Sequence, residues 1–563
     1  MDMGGGTNSS ADEPLPEDQY PPTYFSHPEH RGLLFAHIAL EVLGWVFILP
    51  LATMFSLARS RYTLPTQFVF LATNALGLVV GTIYNAKTPD LYPNNAHHKL
   101  GWLVTWVLCA QGAVSLLGRL AGAFGNKSNH GFDAAERQGF LPVSQAAMDE
   151  HRRIHNSCYS AMNRHSDDSG QGTEPRTESL RSHSFSSSPD PLASPTSEDL
   201  AHKEYHDEDD DLETEPPAMP RGGAIRIFVT KIGGKISSRA WKVLFFGYNF
   251  IDRTSMILGF ITVCTGVTTY GRFFEGHAIF GGLAHWIKGG IFFWQGILTL
   301  GRWSGSFGEL GWAWNIRPKS TTRRFVPSAE FTESFLIFFY GSTNIFLEHL
   351  GQWGKAWRAS DLEHFSITVL FIGGGLCGML VESTRIRDLL NTTVTVAAEE
   401  NYNEHERDIT MEEPESYKFS MNPFPALVIL LLGIMMTSHT QQSMISTMVH
   451  AQWGNLLAGA AFARGLTYVT TYLKPPTSIL PSRPPTELLT SFALMTGGII
   501  FMASSSDTVD GMIHYRLDAM FMYTVTMGLV GVLMAWEIIL IAIKGWAVRK
   551  EAGKPTRGVL YSA

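Results

Sequence analysis

Cysteine is scarce in this chain, and charge is thinner than the quarter or so of residues usual in soluble domains. Four cysteines occur in 563 residues, Cys109, Cys158, Cys264 and Cys377, with no C-x-x-C or other paired spacing. A disulfide framework and a thiolate metal site are therefore not expected. Charged residues make up 17% of the chain against 45% hydrophobic, and the net charge of -8 owes much to one acidic run, HDEDDDLETE. There is no basic stripe, so no nucleic-acid partner is expected. The opening residues, MDMGGGTNSSADEPLPEDQYPP, have no basic stretch leading into an apolar one, which argues against a cleavable signal peptide. They do contain Asn8-Ser9-Ser10, a glycosylation acceptor pattern should this end be translocated.

What the chain has instead is long apolar blocks separated by polar loops. This is the pattern of an all-α, polytopic integral membrane protein whose partner is the lipid bilayer. At roughly twenty residues per span, about eleven transmembrane helices are expected in a bundle, near 33–57, 66–85, 100–119, 243–266, 276–300, 331–350, 364–383, 423–443, 450–472, 487–506 and 517–543. Lys and Arg collect in alternate loops, among them ARSRY, GRW, RPKSTTRR, STRIRD and KGWAVRK. Short cytoplasmic loops gather such residues, so the N-terminus is expected to be exoplasmic or lumenal and the C-terminus cytoplasmic. The plasma membrane and an internal membrane fit equally.

The expected organisation is an exoplasmic tail over 1–32, a three-helix segment over 33–123, a linker over 124–238, a second membrane domain of about eight helices over 239–550, and a cytoplasmic tail over 551–563. The linker is rich in Ser, Pro and acidic residues and lacks the apolar surface to fold, so it is read as disordered. Ser188-Pro189 and Ser194-Pro195 make it a candidate for phosphorylation or binding by cytosolic proteins. The polar stretch 391–418 is read in the same way.

On this map the histidines lie to one side. His37 is one turn into the first helix from the outside, and His97 and His98 stand at the outer mouth of the third. His277, His349, His364, His439, His450 and His514 also fall at outer ends or loops, and His285 lies near mid-bilayer. Carboxylates accompany them, Glu41 one turn below His37 and Glu363 beside His364. Interfacial decoration would populate both leaflets, so the asymmetry points to an outward-facing histidine site. His37, His97 and His98 are candidate cofactor ligands. His277, His285, His349, His364, His439 and His450 are candidate metal ligands. Glu41, Asp252, Arg253 and Lys288 lie inside apolar segments, where ionisable groups are costly and mark a cavity, a ligand or a proton or ion path.

Two resemblances follow from these residues. HIALEVLGWVFILPLATMFSLARSR, followed by an apolar helix and HHKLGWLVTWVLCAQ, resembles the first three core helices of the cytochrome b561 family. That family shares haem b between histidines of its first and third core helices, which here implies His37 with His98, or His97 in its place. The family's second haem pair has no counterpart, because PTQFVFLATNALGLVVGTIY contains no histidine and neither does the fourth helix. As a whole, the chain resembles the fungal Ytp-type membrane family, through GHAIFGGLAHWIKGGIFFWQGILTLGRW, GELGWAWN, FLEHLGQWG, EHFSITVLFIGGGLCGMLVES and SHTQQSMISTMVHAQWGNLLAGAAFARGLTY.

The function expected from these readings is a membrane redox protein with one haem b near the outer leaflet, exchanging electrons with a donor or acceptor on that side. A second metal or a substrate would sit at the C-terminal histidines. Two other readings stay open: a transition-metal transporter or sensor with an outward His/carboxylate site, and a non-catalytic scaffold acting through its linker. No enzymatic reaction is assigned by the residues.

Overall fold

The structure, a computed structural model, describes residues 20–124, 238–276, 278–315, 326–350, 359–401 and 418–552. The 124–238 linker falls almost wholly outside the described residues, as does His277. The described chain is helical, with no strand among the described residues. Residues 1–115 with 250–563 form one compact unit and residues 116–249 a second. The second contributes only the ends of two helices to the described chain.

Helix α1 (Arg31–Val42) passes through a π-helical turn at Leu43–Ile48 into α2 (Leu49–Leu57). Then come α3 (Thr63–Lys87), α4 (Ala96–Phe124), α5 (Ser238–Gly271), α6 (Ala278–Ser304), α7 (Ala329–Leu350), α8 (Ala359–Glu382) and α9 (Thr384–Asn401). The last are α10 (Phe424–Ser438), α11 (Met444–Leu473), α12 (Pro485–Ala503), α13 (Ser506–His514) and α14 (Ala519–Ala552). Each expected span overlaps a helix, although the first is interrupted by the π-helical turn and α10 ends at Ser438. Among the described residues, seven helical stretches are by themselves long and apolar enough to cross a membrane. Two expectations are corrected. Residues 384–401, read as part of a disordered loop from 391, form α9, and the loop after α12 folds into the short helix α13. The polar, Thr-rich α9 lacks the hydrophobic run that a search for spans detects, and α13 is too short for one.

The helices divide their surfaces between lipid and one another. Between 17% and 28% of the apolar window is buried in six of the seven spans, but 67% in α12, the most enclosed of the seven. One core gathers Trp45, Leu49, Phe70, Val104 and Leu108 from α1–α4. The other gathers Val449, Trp453 and Leu457 of α11 with Leu494, Ile500 and Phe501 of α12.

Without a hydrophobic drive between helices in lipid, close backbone packing must hold them together. Gly289 of α6 and Gly498 of α12 lie so close that a methyl group on either would strike the other's carbonyl oxygen. Gly433 of α10 and Gly454 of α11 meet in the same way, with clearances of 2.6 and 2.8 Å.

The two ends of the chain are joined at three levels. Thr23 Oγ1 lies 2.9 Å from the Tyr515 hydroxyl, and Ser60 Oγ donates to Glu551 at 3.0 Å. Between them, the Trp536 indole N–H donates to the Val46 carbonyl at 3.0 Å. Pro50, having no N–H, cannot supply that carbonyl with its ordinary donor one turn on. A residue of α14 thus bonds a carbonyl whose ordinary donor position is taken by the proline of α2.

Candidate functional site

The face of α1 that carries His37, Glu41 and Trp45 follows from four-residue spacing, which stacks side chains along one side of a helix. These side chains stand on glycines. A methyl group at Gly81 of α3 would meet the His37 ring at 2.8 Å, one at Gly77 would run into the Glu41 carboxylate, and one at Gly259 of α5 would meet Trp45 at 2.8 Å. The antiparallel α3 offers Gly81 and Gly77 at the same four-residue step, so polar groups and gaps are in register.

His37 Nδ1 lies 2.9 Å from the Gly77 carbonyl oxygen. A carbonyl only accepts, so Nδ1 carries the proton and Nε2 the lone pair. Glu41 Oε2 accepts from the Trp45 indole at 2.8 Å, while Oε1 is 3.9 Å from His37 Nδ1. The structure brings His97, rather than His98, to His37: the two ring centroids are 6.3 Å apart with planes at 69°. His97 Nδ1 is 3.3 Å from Thr265 Oγ1, whose own proton goes to the Thr262 carbonyl, so Thr265 is the acceptor and Nε2 of His97 also holds a lone pair. Gly266 lies under the His97 ring, where a methyl group would sit 3.2 Å from it. His98 is exposed.

A second imidazole pair lies in the other core. His285 of α6 and His450 of α11 have ring centroids 6.2 Å apart at 85°. Each Nδ1 lies 2.8 Å from a carbonyl oxygen one turn back, Gly281 for His285 and Ser446 for His450. His285 precedes Gly289 by one turn and His450 precedes Gly454 by one turn, so each sits directly beside a glycine crossing. The stacked rings of Trp453 and Phe501, 4.1 Å between centroids, wall this pair.

The remaining candidates separate. His439 Nδ1 is 3.6 Å from Glu363 Oε2, both well exposed, and His364 is exposed on α8. The His349 side chain and His277 lie outside the described residues. No group of three His, Cys, Asp or Glu side chains placed to hold a metal occurs among the described residues.

Asp252 is buried and accepts from Ser56 at 2.9 Å and Gln111 at 3.4 Å. It lines a cavity of about 20 Å³ with Thr53, Gln67 and Ser255, room for one water. Arg253 is exposed and Lys288 half-buried. Glu41 and Asp252 belong to separate hydrogen-bonded groups.

The largest polar feature escaped the sequence reading. Arg302 of α6 bonds Glu330 at 2.7 Å and Glu333 at 3.3 Å, both on α7. Arg464 of α11 lies 3.5 Å from Glu333 and 2.8 Å from Glu487 of α12. Gln295 donates to Glu333 at 2.7 Å, and Trp314 lies against both guanidiniums. All five charged residues are buried, Glu487 completely. Arg464 was detectable as a cation inside an apolar run. Arg302 had been counted as a loop cation fixing topology, and that count is corrected, because its charge is spent in the core.

Beyond the helix ends, residues 20–27 fold over α13. The Tyr20 ring stacks on His514 at 3.9 Å, Arg272 donates to the Pro22 carbonyl, and Asp507 accepts the Phe274 N–H at 2.6 Å. Burial, then Tyr515, Asp510 and Asp507 nearby, push the Tyr20 hydroxyl up to about 12. Burial raises Asp507, although the Phe274 N–H opposes it, and burial with the Asp507 charge raises Asp510.

Residues 258–545 match the family model described as protein YTP1-like, C-terminal, and residues 18–121 match a domain of unknown function, DUF2427. The segment read as cytochrome b561-like falls inside the latter. An uncharacterised membrane protein of Schizosaccharomyces pombe is 33% identical over 96% of this chain and 98% of its own length. An uncharacterised membrane protein of Saccharomyces cerevisiae is 31% identical over 94% of this chain and 85% of its own. Protein YTP1 of the same yeast is 23% identical over 48% of this chain and 49% of its own. No solved structure matches.

Proposed function

The chain belongs to the YTP1-like family of multi-pass membrane proteins, and we propose that it is a membrane electron carrier holding one haem b between His37 and His97. The observation that supports this is the matched pair of tautomers: both Nδ1 protons are engaged, leaving two Nε2 lone pairs on rings 6.3 Å apart. Two imidazoles sharing one iron would need centroids roughly 6 Å apart, which is the separation found here. The donor set fits, and the glycines at 81 and 266 give the two rings the space that a side chain would otherwise take.

Bound there, haem b would supply one-electron exchange, at a potential that the two imidazoles and their hydrogen bonds would tune. The Gly77 carbonyl and Thr265 hydroxyl hold the two imidazoles in orientation and raise their basicity. Glu41, tied to Trp45, sets the charge beside His37. The electron partner meets the protein on the side of the helix ends that carry His37 and His97, the exoplasmic or lumenal side in the orientation inferred from the basic loops.

The test is a dithionite-reduced minus oxidised absorbance spectrum of the purified full chain. A Soret shift with sharp α and β bands is expected in the wild type and in His98→Ala, but not in His37→Ala or His97→Ala. Added imidazole should restore it to His37→Gly. A wild type without a Soret band, or bands that persist in both single variants, would sink the reading.

A further inference from the structure

The polar groups around Asp252 make a site of a different kind from the imidazole pairs. Helices α2, α3, α4 and α5 meet around the cavity of about 20 Å³, where Thr53, Gln67, Gln111, Asp252 and Ser255 supply the polar part of an otherwise apolar wall. Thr53, Gln111, Asp252 and Ser255 are all buried. The hydroxyl protons beside the cavity are committed elsewhere. Thr53 Oγ1 donates to the Leu49 carbonyl at 3.0 Å and Ser255 Oγ to the Asp252 carbonyl at 3.2 Å, so each hydroxyl oxygen keeps lone pairs to offer. Gln67 Oε1 is buried too and meets no hydrogen-bond partner among the described residues.

The wall selects what fits there. The Asp252 carboxylate is held by two neutral donors, Ser56 on Oδ2 and Gln111 on Oδ1, which orient it without cancelling its charge. Each oxygen accepts, so neither is placed as the O–H donor of a carboxylic acid. Arg253, one residue on, turns to the exposed side of α5. A buried anion in an apolar bundle is costly, and a cation lodged in the cavity offsets that cost while gathering the spare oxygens. The donors are all oxygen, which suits a hard ion rather than one that seeks nitrogen or sulfur. One carboxylate balances a single positive charge, whereas a calcium ion calls for roughly six to eight oxygens and would leave charge over. A space the size of one water admits a small ion stripped of its hydration shell.

We propose that Asp252, Thr53, Ser255 and Gln67 hold one dehydrated sodium ion, with Ser56 and Gln111 positioning the carboxylate. The site is distinct from the His37–His97 pair. It lies about 20 Å along α5 from Thr265, the partner of His97, at the helical rise per residue. The ion ties together α2, α3 and α5, which otherwise meet here through apolar contacts and the Ser56–Asp252 hydrogen bond.

The test is binding of radioactive sodium to the purified full chain, with the thermal unfolding midpoint followed as sodium chloride replaces choline chloride at constant ionic strength. One sodium per chain is expected, with a midpoint that climbs with sodium concentration, as it must when a ligand binds the folded state alone. Potassium at the same concentration should raise it less. Thr53→Val removes one donor oxygen and little volume, and should weaken sodium binding about tenfold. Asp252→Asn should abolish binding while keeping the fold, and His37→Ala and His97→Ala should bind sodium as the wild type does. A wild type that retains no sodium, a midpoint raised equally by potassium, or undiminished binding in both Thr53→Val and Asp252→Asn would overturn the proposal. The wild-type measurements decide the matter even if a variant fails to fold. The haem spectrum is a separate readout, so either reading can fail alone.

Discussion

The two imidazole pairs are separated to almost the same distance, yet one rests on glycines and the other is boxed by aromatic rings. At His37 and His97 the neighbouring helices withdraw their side chains at Gly81 and Gly266, and the two rings occupy the space so made. At His285 and His450 the glycines lie one turn away and bring the backbones together, while Trp453 and Phe501 close the space. The same residue type thus opens one site and tightens the other. Histidine spacing alone does not select a ligand; what stands beside the rings does.

Breaking the C-terminal scaffold should have the largest effect. Arg464→Leu leaves Glu333 and Glu487 short of a buried partner and should cost about 3–5 kcal/mol of stability, read as a lowered unfolding midpoint in detergent. The N-terminal pair should keep its spectrum in any Arg464→Leu protein that still folds.

A smaller change sharpens the contrast between the two glycine roles. Gly289→Val pushes α6 from α12 and should cost about 1–3 kcal/mol, with the haem bands kept. Gly81→Val presses on the His37 ring, at a similar cost of about 1–3 kcal/mol, and should remove the haem bands. A Gly81→Val protein with an unaltered spectrum would count against a haem held at His37. Asp252→Asn exchanges a carboxylate for an amide between two donors, and should shift stability by only about 1 kcal/mol and leave the haem bands unchanged.

The smallest effect is a pH dependence confined to the outer clasp. Asp507 and Asp510 are raised in the folded protein. Their contribution to stability is complete below the unfolded value of about 3.9 and fades as pH rises through the folded values. The segment at 20–27 should resist limited proteolysis better near pH 4 than near pH 7. Asp510→Asn should flatten that difference.

The sequence showed the helices and the site unevenly, for physical reasons. A span is a local matter of some twenty apolar residues, so every expected helix was legible, while α9 and α13 carry no such run. His37 and Glu41 were legible as neighbours because four residues make a turn. Which of His97 and His98 faces inward depends on the rotation of α4, fixed by contacts with Thr265 and Gly266 about 170 residues away in sequence. The charged cluster was hidden by its own position near helix ends, where Arg302 and Glu487 look like ordinary boundary residues. Only folding brings α6, α7, α11 and α12 together and shows that these charges answer one another.

The bonds joining the beginning of the chain to its end also set an order of manufacture. Val46 and Ser60 leave the ribosome some 490 residues before Trp536 and Glu551, their partners. The first helices must therefore be threaded into the bilayer and wait for these two partners until the final helix is inserted. A chain interrupted anywhere before α14 would lack both bonds. This gives the cell a chemical difference between a finished copy and a truncated one.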